Sequence, residues 1–262
     1  MILRRGRGLL RIWPAVAASL LLVSMARAEL ADTIARIKPS LVVVGMYNKL
    51  KSPAFAMRGT GFAVGDGRLI ATNAHVVPEM SGTDSGQDML MILSRHGSET
   101  RPHPVQLVTR DPEHDLAILR LAGTPLPALV LGSSDAVREG QAVAFSGFPI
   151  GGALGFSPVT HRGIISSITP IALPGGNSNQ LKDKSIRSLR SGAFPIFQLD
   201  ATAYPGNSGG PLFDTDSGEV LGVINMVFIK STKESVLEKP SGISYAIPAS
   251  HLVELISRIS AR

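Results

Sequence analysis

The chain has 262 residues, no cysteine, 26 Lys+Arg against 20 Asp+Glu, 44% apolar residues, 27 Gly and 18 Pro. These counts exclude collagen-like, mucin-like and highly charged disordered chains and leave apolar material for one large domain or two small ones. The formal charge of +6 raises the question of nucleic acid, but residues 1–28 hold five arginines and no acid, and without them 21 basic residues face 20 acidic ones, so no nucleic-acid partner is expected.

The front segment has an arginine-rich start, an apolar run from Trp13 to Met25 and the triplet Ala26-Arg27-Ala28. Small residues at the first and third positions of that triplet suit a signal peptidase, so residues 1–28 are expected to be a signal peptide cut after Ala28. The thirteen-residue run, interrupted by Pro14, falls short of the roughly 20 residues of a spanning helix, so no stable membrane insertion is expected after cleavage. The destination is the periplasm or the outside of the cell, where a chain without cysteine rests on its core alone.

The mature part opens with Leu30, Ile34, Ala35 and Ile37 on a helical stripe stopped by Pro39. Short apolar runs follow, separated by Gly, Pro, Asp and Ser: Leu41 to Met46, Gly61 to Val64, Leu69 to Thr72, Met89 to Leu93, Val105 to Val108 and Leu116 to Leu121. After the polar break Gly132 to Gly140 come Ala142 to Phe145, His161 to Ile168, Ile196 to Leu199, Pro211 to Phe213, Val220 to Phe228 and Ile243 to Ile247. A dozen short strands at this spacing argue for an all-β, antiparallel sandwich or barrel architecture. Gly65-Asp66-Gly67 and Asp214 to Gly218 read as hairpin turns. Ala249 to Arg262 places Leu252, Val253, Leu255, Ile256 and Ile259 on one face of a closing helix. The break divides the chain into 29–136, a helix and a first barrel, and 137–262, a second barrel and the last helix. Two polar stretches, Pro174 to Gly192 and Lys230 to Gly242, read as solvated loops.

Three blocks carry chemistry. In Gly206-Asn207-Ser208-Gly209-Gly210-Pro211, glycines on both sides of a serine permit a turn that exposes its oxygen and lets a substrate backbone come close. Flanking strands make a flexible linker a poor reading. In Leu69 to Val77 a strand runs into His75, a place where a base is held rigidly over a cleft. In His114-Asp115-Leu116-Ala117-Ile118-Leu119 an aspartate stands at the mouth of an apolar run; alone it reads as a strand-capping acid.

Taken together, Thr72-Asn73-Ala74-His75-Val76-Val77, Asp115-Leu116-Ala117-Ile118-Leu119 and Gly206 to Pro211 resemble, in this order, the three catalytic blocks of chymotrypsin-fold serine proteases. Gly59-Thr60-Gly61-Phe62, the asparagine before the serine and Gly242 to Pro248 are similar to the bacterial HtrA (Deg) subgroup. The resemblance covers residues 30–250. It implies two six-stranded Greek-key β-barrels, with His75 and Asp115 on the first and Ser208 on the second. Ser208 would attack the scissile carbonyl, His75 would move the proton and Asp115 would hold the imidazole. The backbone at Gly206, Asn207 and Ser208 would form the oxyanion hole. Ile224-Asn225-Met226 would pair with substrate backbone, and Thr202, six residues before the serine, would stand at the base of the primary pocket. Substrates would be proteins or peptides, with no cofactor. HtrA proteins usually carry PDZ domains after the protease domain; about fourteen residues follow Pro248, so PDZ-based recognition is not expected here. Asn207 also stands where digestive relatives have an aspartate, so activation by a newly cut N-terminus is not expected.

Two other classes compete. His114-Asp115 as a metal pair of a helical HD phosphohydrolase fails because His114 heads a strand, and the six histidines show no zinc-ligand spacing, His96 and His103 lying in a proline-broken loop. A binding or chaperone-like protein that keeps the protease fold with little or effector-dependent turnover is compatible with intact motifs, and labelling of Ser208 by an active-site serine reagent separates the two.

Overall fold

Each of the twelve apolar runs contributes a strand, the eleventh through Val220–Asn225, in a computed structural model, which describes residues 29–79, 88–97, 99–149, 156–170, 194–225 and 243–260. The segment 1–28, Met226 and the polar stretches 174–192 and 230–242 lie outside the described residues.

The first six strands are β1 (Leu41–Tyr47), β2 (Phe55–Val64), β3 (Leu69–Asn73), β4 (Met89–His96), β5 (Glu99–Asp111) and β6 (Leu116–Leu121). They close an antiparallel barrel in the order β1-β2-β3-β6-β5-β4. The next six are β7 (Ala142–Gly147), β8 (Val159–Pro170), β9 (Pro195–Asp200), β10 (Pro211–Asp214), β11 (Val220–Asn225) and β12 (Ile243–Pro248). They close a second barrel in the same order, β7-β8-β9-β12-β11-β10. In each, the fourth strand returns beside the first, which is the Greek-key arrangement.

Alternate side chains of a strand point to opposite faces, and β1 buries both. Val42 and Val44 fill the first barrel with Ile70, Ile92 and Leu119. Leu41 and Val43 join Phe62, Phe213, Val223, Ile247 and Leu252 in a cluster drawn from both barrels. This explains runs of consecutive apolar residues where an antiparallel sheet with one wet face would alternate. Phe145, Ile165, Phe197 and Leu212 fill the second barrel. A fully buried side chain such as Phe62 contributes about 1.5–3 kcal/mol of transfer free energy. Residues 129–131 tie the barrels together, Leu129 bridging Val64 and Leu131 bridging Val220.

The structure corrects several local readings. His96 and His103 lie in strands and not in a loop: β5 pairs with β4 through residues 99–104 and with β6 only from Val105 on. Pro102 and Pro104 thus sit where the strand has one neighbour and a missing donor is tolerated. In helix α1 (Glu29–Ile37) the buried residues are Thr33 and Ile37, while Ala35 faces solvent. In helix α2 (Ala249–Ser260) Leu252 and Leu255 are buried, but Val253 is 46% exposed, because a 100° step per residue carries it off the inward stripe.

Candidate active site

Antiparallel pairing of β3 with β6 sets Asn73 opposite Leu116, so the end of one strand meets the start of the other. His75 follows in a 3₁₀ turn, Ala74–Val76, and Asp115 closes the turn before β6. Two bonds to one carbonyl seal the junction: the Ala74 backbone N–H donates to the Asp115 carbonyl (2.9 Å), as does the Asn73 side chain through Nδ2 (3.0 Å). Asp115 has φ of 51°, unique among the described non-glycine residues, and this left-handed conformation aims its carboxylate back at His75. Oδ1 accepts the backbone N–H of His75 (2.9 Å), and Oδ2 meets His75 Nδ1 at 2.6 Å. A third group converges from the other barrel: Asn225 Nδ2, at the end of β11, donates to the same Oδ2 at 2.7 Å.

Behind His75, two arginines hold the outgoing chain. Arg58 Nε donates to the Val76 carbonyl (2.8 Å), and Arg110 Nη2 donates to the carbonyls of Val77 (2.7 Å) and Pro78 (3.2 Å).

Ser208 lies in the loop between β9 and β10 and is docked on the first barrel through Thr60. The Thr60 N–H donates to the Ser208 carbonyl (2.8 Å), and Thr60 Oγ1 donates to the Gly206 carbonyl (2.7 Å). The fit is close enough to need glycine: a Cβ on Gly209, where φ is 85°, would fall 2.1 Å from the Thr60 carbonyl oxygen and 2.4 Å from Thr72 Oγ1. A Cβ on Gly59 would touch both Val76 Cγ2 (2.6 Å) and the Ser208 carbonyl (2.9 Å). The serine loop therefore packs against the segment that carries His75. Ser208 is 4% exposed and the His75 side chain 33%. Among the described residues no hydrogen bond joins Ser208 to His75.

The loop spends its other backbone groups on itself and on β11. Asn207 N–H donates to Tyr204, Gly210 N–H to Asn207, Gly209 N–H to Ile224, and Ile224 N–H to Gly210. The N–H groups of Gly206 and Ser208 donate to no acceptor among the described residues. The buried Asn207 side chain between them packs against Gly147, where a Cβ would fall 2.7 Å from its Oδ1.

Of the expected substrate-contacting residues, Ile224 has both backbone groups bound to the serine loop, Asn225 has its side chain on Asp115, and Met226 lies outside the described residues. Thr202 is half-buried between two anchored neighbours: Ser244 Oγ accepts the Ala203 N–H (2.7 Å) and donates to the Ala201 carbonyl (2.7 Å). Arg58 and Arg110 are neighbours of the site that the sequence did not single out, and Thr60 and Ser244 fell within motifs noted only for their resemblance; nothing in the local pattern announces contacts across 18 to 148 positions.

The trypsin-like peptidase domain matches residues 59–223. The chain is 34% identical over 190 residues to a probable periplasmic serine endoprotease DegP-like of Halomonas elongata, covering 72% of this chain and 32% of that one. It is 31% identical over 234 residues to serine protease HTRA3 of Rattus norvegicus, covering 87% and 44%. Among solved structures, the HtrA-type protease AlgW with a tripeptide superposes with a TM-score of 0.63 at 27% identity, covering 88% of this chain and 63% of that one. By sequence and by fold the chain belongs to the trypsin-like peptidase family. It spans about a third to less than half of the length of the curated relatives it matches.

Proposed function

We propose that the chain is an exported serine endopeptidase, periplasmic or secreted after cleavage near Ala28, that hydrolyses peptide bonds in unfolded or extended proteins. The observation that carries the reading is the grip on His75: one carboxylate, Asp115, binds both its backbone N–H and its Nδ1. That grip fixes Nδ1 as the donor and leaves Nε2 with a lone pair, the state a general base requires. His75 takes the proton of Ser208 as its oxygen attacks the scissile carbonyl, and the imidazolium formed is stabilised by Asp115. The N–H groups of Gly206 and Ser208 receive the developing oxyanion. His75 then protonates the leaving amine, and water releases the acyl group by the same route. The Asn225 side chain serves through Asp115, to which it donates. The division near residue 136 belongs to this reading, each part contributing one side of the cleft.

A second reading, effector-dependent turnover in a mainly binding protein, is favoured by one observation: Ser208 and His75 share no hydrogen bond among the described residues. Incubation of the mature chain with unfolded casein tests both. Cleavage by the wild type and none by Ser208→Ala supports the enzyme; no cleavage under any added peptide supports the binder.

A further inference from the structure

The pair His114-Asp115 sends its two side chains in different directions. Asp115 turns toward His75, while His114 turns onto helix α2. There its ring lies face to face with that of His251, with centroids 3.9 Å apart and planes at 18°. Phe194, just ahead of β9, meets both rings edge-on, at 4.6 Å from His114 and 5.1 Å from His251. The turn itself is laced by Asp111: Oδ2 meets His114 Nδ1 at 2.7 Å, and Oδ1 accepts the N–H groups of Glu113 (3.1 Å) and His114 (3.2 Å). The residue at the end of this turn is the one non-glycine in the left-handed region among the described residues, a conformation that persists only where surroundings over-determine it.

Resting on the triad reading above, we propose that His251 is a positioning residue for Asp115: by stacking on His114 it holds the back of the turn whose front presents the carboxylate to His75. The C-terminal helix thereby sets the alignment of a catalytic group on the opposite barrel, and the stack makes that alignment sensitive to acid.

Two neutral imidazoles stack as aromatic rings do, whereas two imidazolium rings at the same spacing repel across a partly dry contact. The groups facing His251 are His114, Asp111 and Glu113 from the turn and Glu254 from its own helix. Burial, and then the charge of His114, hold His251 below the ordinary histidine value of 6.5, against a smaller upward pull from the three carboxylates. Protonation of His251 therefore comes at the cost of the stack.

The test compares wild type, His251→Ala and His251→Phe in the mature chain. Two readouts are followed: casein-peptide kinetics from pH 5 to 9, and the low-field proton resonance of the His75 Nδ1–H that faces Asp115. His251→Ala is expected to lower kcat about tenfold at pH 8 with KM within twofold, and to broaden the resonance. His251→Phe, which keeps an aromatic face and cannot titrate, is expected to restore kcat at pH 8 to within twofold and to make the acid limb shallower than that of the wild type. Unchanged kcat, acid limb and resonance in both variants would overturn the proposal. If His251→Ala fails to fold, an acid limb in His251→Phe identical to that of the wild type overturns it alone. Because the resonance needs no turnover, its loss in His251→Ala alongside an inactive wild type would count against the triad reading and for the positioning role.

Discussion

Asn225 Nδ2 lies 2.7 Å from Asp115 Oδ2, so the carboxylate that orients His75 is itself oriented from the second barrel. That oxygen carries two bonds, since His75 Nδ1 lies 2.6 Å from it. Asn225 is fully buried, and a buried hydrogen bond to a charged group contributes about 1.5–3 kcal/mol. Asn225→Ala is therefore expected to lower kcat by about 10- to 100-fold with little change in KM. Equal losses in kcat and in substrate affinity would place Asn225 on the substrate instead.

The serine loop is expected to tolerate no side chain at Gly209. Its φ of 85° and the 2.1 Å approach of a Cβ to the Thr60 oxygen leave no room, so Gly209→Ala abolishes activity and lowers the melting temperature. Gly97→Ala is the control: φ is also positive, 62°, but nothing lies within 4 Å, and the expected cost is only about 1–2 kcal/mol of backbone strain. Thermal melts of both variants check the difference.

The barrels were legible because β1, β3 and β11 bury both faces and therefore read as unbroken apolar runs between turn residues. No internal repeat appears in the side chains, yet both barrels share one strand order: packing constrains volume and polarity, not residue identity. The three motif blocks were legible for a different reason, since glycines and strand ends mark them locally. What stayed hidden were contacts between distant positions. Asn225 and Asp115 are 110 residues apart, and nothing in the unbroken apolar run before Asn225 tells what its side chain reaches. The prolines of β5 misled because a strand paired on one side accepts them.

Stability is expected to fall in acid in two stages. His103, His161 and His251 are each held below 6.5, chiefly by burial. Below 6.5 the unfolded chain binds protons that the folded chain resists, so their contribution is intact above that pH and is lost as pH falls toward the depressed values. Asp111 and Asp214 behave as carboxylates of the second stage. Burial raises each, but hydrogen bonds, from His114 in one case and chiefly from Ser217 and Gln141 in the other, bring the net below 3.8. Their contribution is present above 3.8 and lost below it. Melting temperatures from pH 8 to 3 check this; a flat profile between pH 7.5 and 5.5 would contradict the histidine stage.

The residue proposed for the base of the primary pocket, Thr202, stands between Ala201 and Ala203, both bound to Ser244 Oγ. A threonine hydroxyl does not compensate a desolvated ammonium or guanidinium, whose unpaired burial costs several kcal/mol. Cuts after Val, Ala, Ile or Leu are expected, with loose discrimination because one methylene is worth only ~1–3 kcal/mol. A cleavage profile on a denatured protein dominated by Lys or Arg would remove Thr202 from the pocket base.

The most direct test of the central claim is the rate at which a fluorophosphonate labels the mature chain, with the modified residue found by mass spectrometry. The expected result is labelling at Ser208 alone, lost in Ser208→Ala and slowed by on the order of 10⁴ in Asp115→Asn, where the imidazole takes the wrong tautomer. Labelling at another residue, or an Asp115→Asn rate equal to that of the wild type, would contradict a triad of His75, Asp115 and Ser208.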